Sequence, residues 1–212
     1  MIGLPTLPSN RRLDLKERLI DAASSLIEAH GLGSVKARPL AEKAGCALGA
    51  IYTVFPDLDA LIMAVSARTL TRLEAHLDKS EREDEASASP TEAARQKLVW
   101  LALAYLDFAF AHRASWRALF EHRLPEGRPV PDWLVADQAR LFDKVEKVLQ
   151  PLVPQLPGPE RAILARSLFS AVHGLVLLGL EEKLGVMAFT TLRDEIVRIV
   201  SAMARGLEET RT

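Results

Sequence analysis

From about Leu13 to about Glu208 the apolar residues recur at the three- and four-residue spacing of helices. No run of alternating polar and apolar residues bounded by turn signals is long enough for a strand. The expected fold class is therefore all-α, and the helix starts and stops decide how the chain divides.

A first helix is expected from about Leu13 to His30, with Leu19, Ala22, Ala23, Leu26 and Ile27 on one face and Gly31 as its stop. Residues 1–10, interrupted by Pro and Gly, read as an arm preceding it. Asp57 is placed to cap a longer helix reaching about Ser80. Charged and small polar residues replace apolar ones in KSEREDEASASP, Lys79–Pro90, which reads as a solvated connection. Ser89-Pro90-Thr91-Glu92 then combines a cap, a proline at the first helical position and a glutamate three residues after the cap. That helix is expected to run to about Arg113 and, being apolar nearly all round from Leu98 to Ala111, to be buried on most sides. Further helices are expected at about Ser115–Arg123, Asp132–Leu152, Pro159–Leu184 and Ala188–Glu208, with LPEGRPVP and PLVPQLPGPE as loops. The expected organisation is a three-helix domain over 11–56, a connecting helix over 57–80 and a larger helical domain over 81–212.

The function classes narrow with composition. A chain of 212 residues with 49% hydrophobic and 26% charged residues is globular, and its net charge of −1 gives no global attraction to nucleic acid or an anionic membrane. Any such role must rest on a local patch. Cys46 stands alone, the start MIGLPTLPSNRRLDL lacks the order of a signal peptide, and Leu168–Leu180 is too short and too interrupted to span a bilayer. A cytoplasmic protein without a membrane segment is expected. The five histidines, 30, 76, 112, 122 and 173, form no His-Glu-x-x-His pattern, and no glycine loop to cradle phosphate is present, so neither an enzyme, a metal site nor a cofactor is expected.

The segment ARPLAEKAGCALGAIYTVF, Ala37–Phe55, carries the most specific pattern. Leu40, Ala44, Cys46, Ile51 and Val54 are apolar where two short helices must face each other, Ala41 is small at their crossing, and Gly45 suits the turn between them. This is the spacing of a helix-turn-helix.

Leu19–Leu61 resembles the DNA-binding domain of the TetR/AcrR family of bacterial transcriptional regulators. The matching stretches are DAASSLIEAHG (Asp21–Gly31), LAEKAG (Leu40–Gly45) and GAIYTVFPDLDALI (Gly49–Ile62), with Gly49, Tyr52, Phe55 and Leu61 the most specific positions. The chain departs from the usual pattern at Ala47, Ala50, Val54 and Leu58, where polar side chains are common. The resemblance implies a helix-turn-helix domain followed by a larger helical domain for ligand and dimerisation.

A third helix without Lys or Arg must read DNA with other groups. Lys36 and Arg38 before the second helix, and Arg11 and Arg12, are the candidates for phosphate, aided by backbone N–H groups at helix N-termini. Tyr52 and Thr53 offer hydroxyls, Leu48 and Ala50 offer methyl contacts, and Gly49 lies among them. Over residues 1–64, Arg11, Arg12, Lys16, Arg18, Lys36, Arg38 and Lys43 are balanced by Asp14, Glu17, Asp21, Glu28, Glu42, Asp57 and Asp59.

In the larger domain, Trp100, Ala104, Asp107 and Phe108 recur on one face, followed by Trp116, Phe120, Phe142, His173 and Leu177. Such a stripe reads by itself as core more readily than as pocket; the resemblance, which implies a cavity between the long helices of this domain, makes it equally the lining of an effector site. Asp107 must either find a donor, such as His173, a tryptophan N–H or a ligand group, or lie at the surface. SAVHGLVLLGLEE also resembles a C-terminal domain type of the family marked by Trp-His-Gly, with Val172 in place of the tryptophan. The last two helices, with Ala162, Ala165, Ser170, Ala171, Gly174 and Gly179 on one and Leu192, Ile196, Val197, Ile199, Val200 and Met203 on the other, are expected to form a homodimer. A two-fold dimer demands a near-palindromic double-stranded DNA operator. The expected function is a ligand-responsive regulator, most simply a repressor released by a small, largely apolar effector. The alternative is a helical ligand-binding dimer that has lost useful DNA affinity.

Overall fold

A computed structural model describes residues 9–80, 89–183 and 185–209. Among them the chain forms α1 (Ser9–His30), a single 3-10 turn (Leu32–Ser34), α2 (Ala37–Ala44), α3 (Leu48–Val54), α4 (Leu58–Ser80), α5 (Pro90–Ala111), α6 (Arg113–Glu121), α7 (Asp132–Leu149), α8 (Gly158–Leu180) and α9 (Phe189–Glu209). The protein is all-α. Extended pairing among the described residues amounts to one isolated bridge between Lys183 and Gly185. The solvated connection read over Lys79–Pro90 falls mostly outside the described residues, as does most of the arm read over 1–10.

The helix boundaries follow local chemistry. Gly31, at φ 76°, donates its N–H to the Ile27 carbonyl and turns the chain out of α1. Gly45 adopts the left-handed conformation, and the Gly45 and Cys46 N–H groups close on the Glu42 and Ala41 carbonyls. Asp57 Oδ1 accepts the Ala60 N–H at 2.7 Å and caps α4, while Ser89 Oγ accepts the Glu92 N–H at 3.2 Å and caps α5. One start differs from the sequence reading. With no Pro or Gly between Ser9 and His30, α1 extends back to Ser9, and Arg11 and Arg12 lie on its opening turns.

The chain divides into two compact units. The first joins Met1–Thr71 to His112–Leu134, and the second joins Arg72–Ala111 to Val135–Thr212. In this division the segment 112–134, expected with the C-terminal domain, packs with the helix-turn-helix. The reason is packing. Ala118 of α6 sits in the same buried cluster as Leu19, Ile27, Leu40, Ile51 and Leu61, and Ser115 donates its hydroxyl to Glu28 of α1 at 2.6 Å.

In the second unit, α5 is buried on several sides through Leu98, Ala102, Ala104, Tyr105, Leu106, Phe108 and Ala109. Leu192, Ile196, Val200 and Ala204 of α9 are buried at the expected spacing. A Cβ added at Gly179 would meet the Leu192 methyl groups at 2.8 Å, so a side chain there requires Leu192 of α9 to shift. Much of the apolar set assigned to dimerisation is therefore spent inside one chain. By length and composition alone α8 is long and apolar enough to cross a bilayer, because the helix begins ten residues before the apolar run Leu168–Leu180. It also carries Glu160, Arg161, Arg166, Ser170 and His173.

Candidate nucleic-acid interface and effector site

The helix-turn-helix is held from within and presents its remaining residues outward. On α3, Ile51 is fully buried and the following Phe55 nearly so, whereas Leu48 and Tyr52, one turn apart, are 47% and 46% exposed. Gly49 lies on the same open side, with nothing within 4 Å of the position a side chain would take. Ala50 is half-buried. A short helix with one face buried and the other bearing a leucine, a glycine and a tyrosine offers apolar surface plus one phenol to a partner.

Thr53 contributes less than its hydroxyl promised. Its Oγ1 donates to the Ala50 carbonyl at 2.7 Å, which commits the hydrogen inside the helix and leaves only acceptor capacity. Neither α2 nor α3 has a side-chain cap, since Lys36 and Ala47 occupy those positions, so the first N–H groups of both helices remain available for an anion.

The even charge count conceals an uneven arrangement. Arg18 pairs with Asp14, Arg68 holds both Glu17 and Asp21, and Arg128 reaches both Asp57 and Asp59. Two of those arginines lie beyond residue 64. Lys36, Arg38, Arg11 and Arg12 are exposed and, among the described residues, stand in no ion pair. The unit thus keeps its cations outward while several of its carboxylates are already neutralised.

The second unit brings together only some of the residues read as an effector site. His173 Nδ1 lies 2.8 Å from the Tyr105 hydroxyl, and its ring stacks on Phe169 at 5.6 Å between centroids. Phe169 meets Phe142 edge-on at 5.4 Å, and Arg166 lies over Phe142. Burial of the imidazole pushes the His173 pKa down and favours its neutral form. Asp107 does not pair with His173. It forms an ion pair with Arg193 of α9 at 2.5 Å and is partly exposed. Ala104 and Phe108 are buried, Phe108 against His76, and Trp100 and Leu177 are half-buried.

Trp116 and Phe120, read with this group, lie on α6, which falls in the first unit. Trp116 is fully buried there, with Phe120 against it edge-on and 43% exposed. Sequence reasoning missed Tyr105, Phe169 and Arg166. The spacing of Phe169 and His173, four apart on one helix, was the available signal.

Comparison with known proteins matches residues 19–65 to the family of bacterial regulatory proteins described as tetR, and residues 98–203 to the tetracyclin repressor-like C-terminal domain. The HTH-type transcriptional repressor KstR of Rhodococcus jostii is 32% identical over 73 residues. That match spans only about a third of either chain, 34% of each. A structure of a protein of unknown function from Rhodococcus sp. RHA1 is 26% identical, with a TM-score of 0.70 over 92% of this chain and 95% of its own. The transcriptional regulator FadR from Bacillus subtilis, solved in complex with stearoyl-CoA, shares the fold at a TM-score of 0.60 and 13% identity over 89% of this chain and 96% of its own.

Proposed function

Because the chain belongs to the TetR family of bacterial transcriptional regulators, we propose that it is a homodimeric, cytoplasmic repressor that binds a near-palindromic operator and is released by a small, largely apolar effector. The observation that carries this reading is the outward face of α3. Leu48 and Tyr52 are large side chains left open on a helix whose other side is fixed in a core, which suits insertion into a major groove. Lys36, Arg38, Arg11 and Arg12, with the uncapped N-termini of α2 and α3, supply the phosphate contacts. Leu48 and Ala50 meet thymine methyl groups, and the Tyr52 hydroxyl meets a base edge or phosphate.

For the effector, the support is the cluster of Tyr105, Phe142, Phe169 and His173, aromatic rings around one phenol–imidazole pair, which suits a largely apolar molecule. The effector need only bind the form with low DNA affinity more tightly than the other. For the dimer, the support is the open apolar side of α8 and α9, where Ile163 is 65%, Leu178 39% and Val197 36% exposed. The same need for cover explains an apolar α8 without a bilayer.

The test is binding of the purified protein to DNA from immediately upstream of its own gene, over a salt series, with Tyr52→Ala alongside. A specific, salt-dependent complex weakened by the substitution is expected. The uncharged α3 favours one other reading, a ligand-binding dimer without useful DNA affinity, and a folded dimer that forms no specific complex at low salt is the result that selects it.

A further inference from the structure

The loop LPEGRPVP between α6 and α7 is built to aim one side chain. Pro125, Glu126, Gly127 and Arg128 form a tight turn closed by the Arg128 N–H on the Pro125 carbonyl at 3.1 Å, with Gly127 at φ 79° in the third position, where a side chain is disfavoured. Pro129 and Pro131 restrict the backbone on the far side. Arg128 is thereby set against the corner between α3 and α4. Its Nη1 lies 2.7 Å from Asp57 Oδ2 and 3.5 Å from Asp59 Oδ2, and its Nη2 lies 3.4 Å from Asp57 Oδ1. His122 Nε2 lies 2.9 Å from Asp59 Oδ1.

These carboxylates have other work. Asp57 Oδ1 also accepts the Ala60 N–H, so the arginine fork grips the cap of α4 at the point where the chain, leaving α3, turns through 65°. The Ala60 N–H first, and Arg128 second, pull the Asp57 pKa down, consistent with a carboxylate held charged between them. The loop continues directly into α7, whose residues from Val135 onward belong to the second unit.

We propose that Arg128, seconded by His122, is a positioning residue for DNA binding: it clamps the α4 cap, fixes the α3–α4 corner, and makes operator affinity answer to the chain segment that leads into α7. This rests on the DNA-binding reading given above. It differs from a phosphate contact by Arg128 itself, and from mere stabilisation of the first unit.

The experiment uses the full chain with Arg128→Gln, Arg128→Lys and Gly127→Ala, and two readouts. The first is hydrogen exchange of amides over residues 55–61 without DNA. The second is affinity for the upstream DNA over a salt series. Arg128→Gln is expected to speed exchange at the corner and to weaken specific binding about three- to tenfold, with the salt slope unchanged. Arg128→Lys, which keeps the charge and loses the fork, is expected to restore only part of this. Gly127→Ala, which keeps the arginine and strains the turn that aims it, is expected to act like Arg128→Gln.

Unchanged exchange in Arg128→Gln overturns the clamp. So does a salt slope lowered by about one charge with Gly127→Ala unaffected, since that identifies a direct phosphate contact. Equal loss of exchange protection across α1, α2 and the corner also overturns it, by showing general destabilisation. No complex with the unaltered chain defeats the DNA reading instead, and the exchange readout alone then decides the clamp.

Discussion

The helix-turn-helix and the α8–α9 pair use apolar residues in opposite ways. In the first, Leu19, Ile27, Leu40, Ile51 and Leu61 are all fully buried and the large apolar side chain left open on α3 is Leu48. In the second, α9 buries Leu192, Ile196 and Val200, yet α8 leaves Ile163 and Leu178 in solvent. The difference teaches where each region is complete. A small unit whose core closes internally can spend its few exposed side chains on a ligand, whereas a long helix with uncovered apolar surface is where the proposed dimer takes its second surface.

The comparison breaks most visibly at Ile51. Ile51→Ala is expected to cost about 2–5 kcal/mol, because the side chain is fully enclosed, and denaturant titration should show the loss together with lost DNA binding. Gly179→Val comes next. Its new atoms meet Leu192 at 2.8 Å, so about 1–3 kcal/mol is expected, while Gly174→Ala, with nothing within 4 Å, should be neutral or slightly stabilising.

Asp57→Ala removes the α4 cap and should cost about 0.5–2 kcal/mol. The sign with pH follows from its lowered pKa. Its contribution is present above the unfolded carboxylate value of about 3.9 and is lost as pH falls through the lower folded value, so Asp57→Asn should flatten that part of the acid limb. For His173, also lowered, the unfolded chain takes up the proton first as pH falls through about 6.5, so stability drops there, and His173→Phe should remove that step.

The smallest effect on the fold sharpens the contrast most. Ile163→Glu, on an open face, is expected to change the stability of the chain by no more than about 0.5 kcal/mol. Sedimentation should nevertheless show the dimer weakened. A dimer unaffected by this substitution would place the partner elsewhere.

Local chemistry made most of the fold legible. The glycine turns at Gly31 and Gly45, the caps at Asp57 and Ser89 and the periodicity of α5 depend on residues close in sequence. The packing of α6 was not legible, because Ser115 finds its partner, Glu28, on α1, and Ala118 joins a buried cluster built mostly from residues 15–65, which no local pattern names. The same holds for Asp107, whose partner Arg193 lies 86 residues away, and for Tyr105 with His173, 68 residues apart. Seven cations against seven carboxylates likewise says nothing of which ones Arg68 and Arg128 occupy. The outward residues of α3 were legible because a short helix with Ile51 inward has only one other side to offer.

The most direct measurement is the affinity of the protein for its upstream DNA prepared with thymine and, in parallel, with uracil, which lacks only the methyl group. If the apolar face of α3 reads the major groove, uracil should weaken the specific complex several-fold for the unaltered chain, and Leu48→Ala should shrink that difference. Equal affinity for both DNAs, with Leu48→Ala binding as the unaltered chain does, would contradict it.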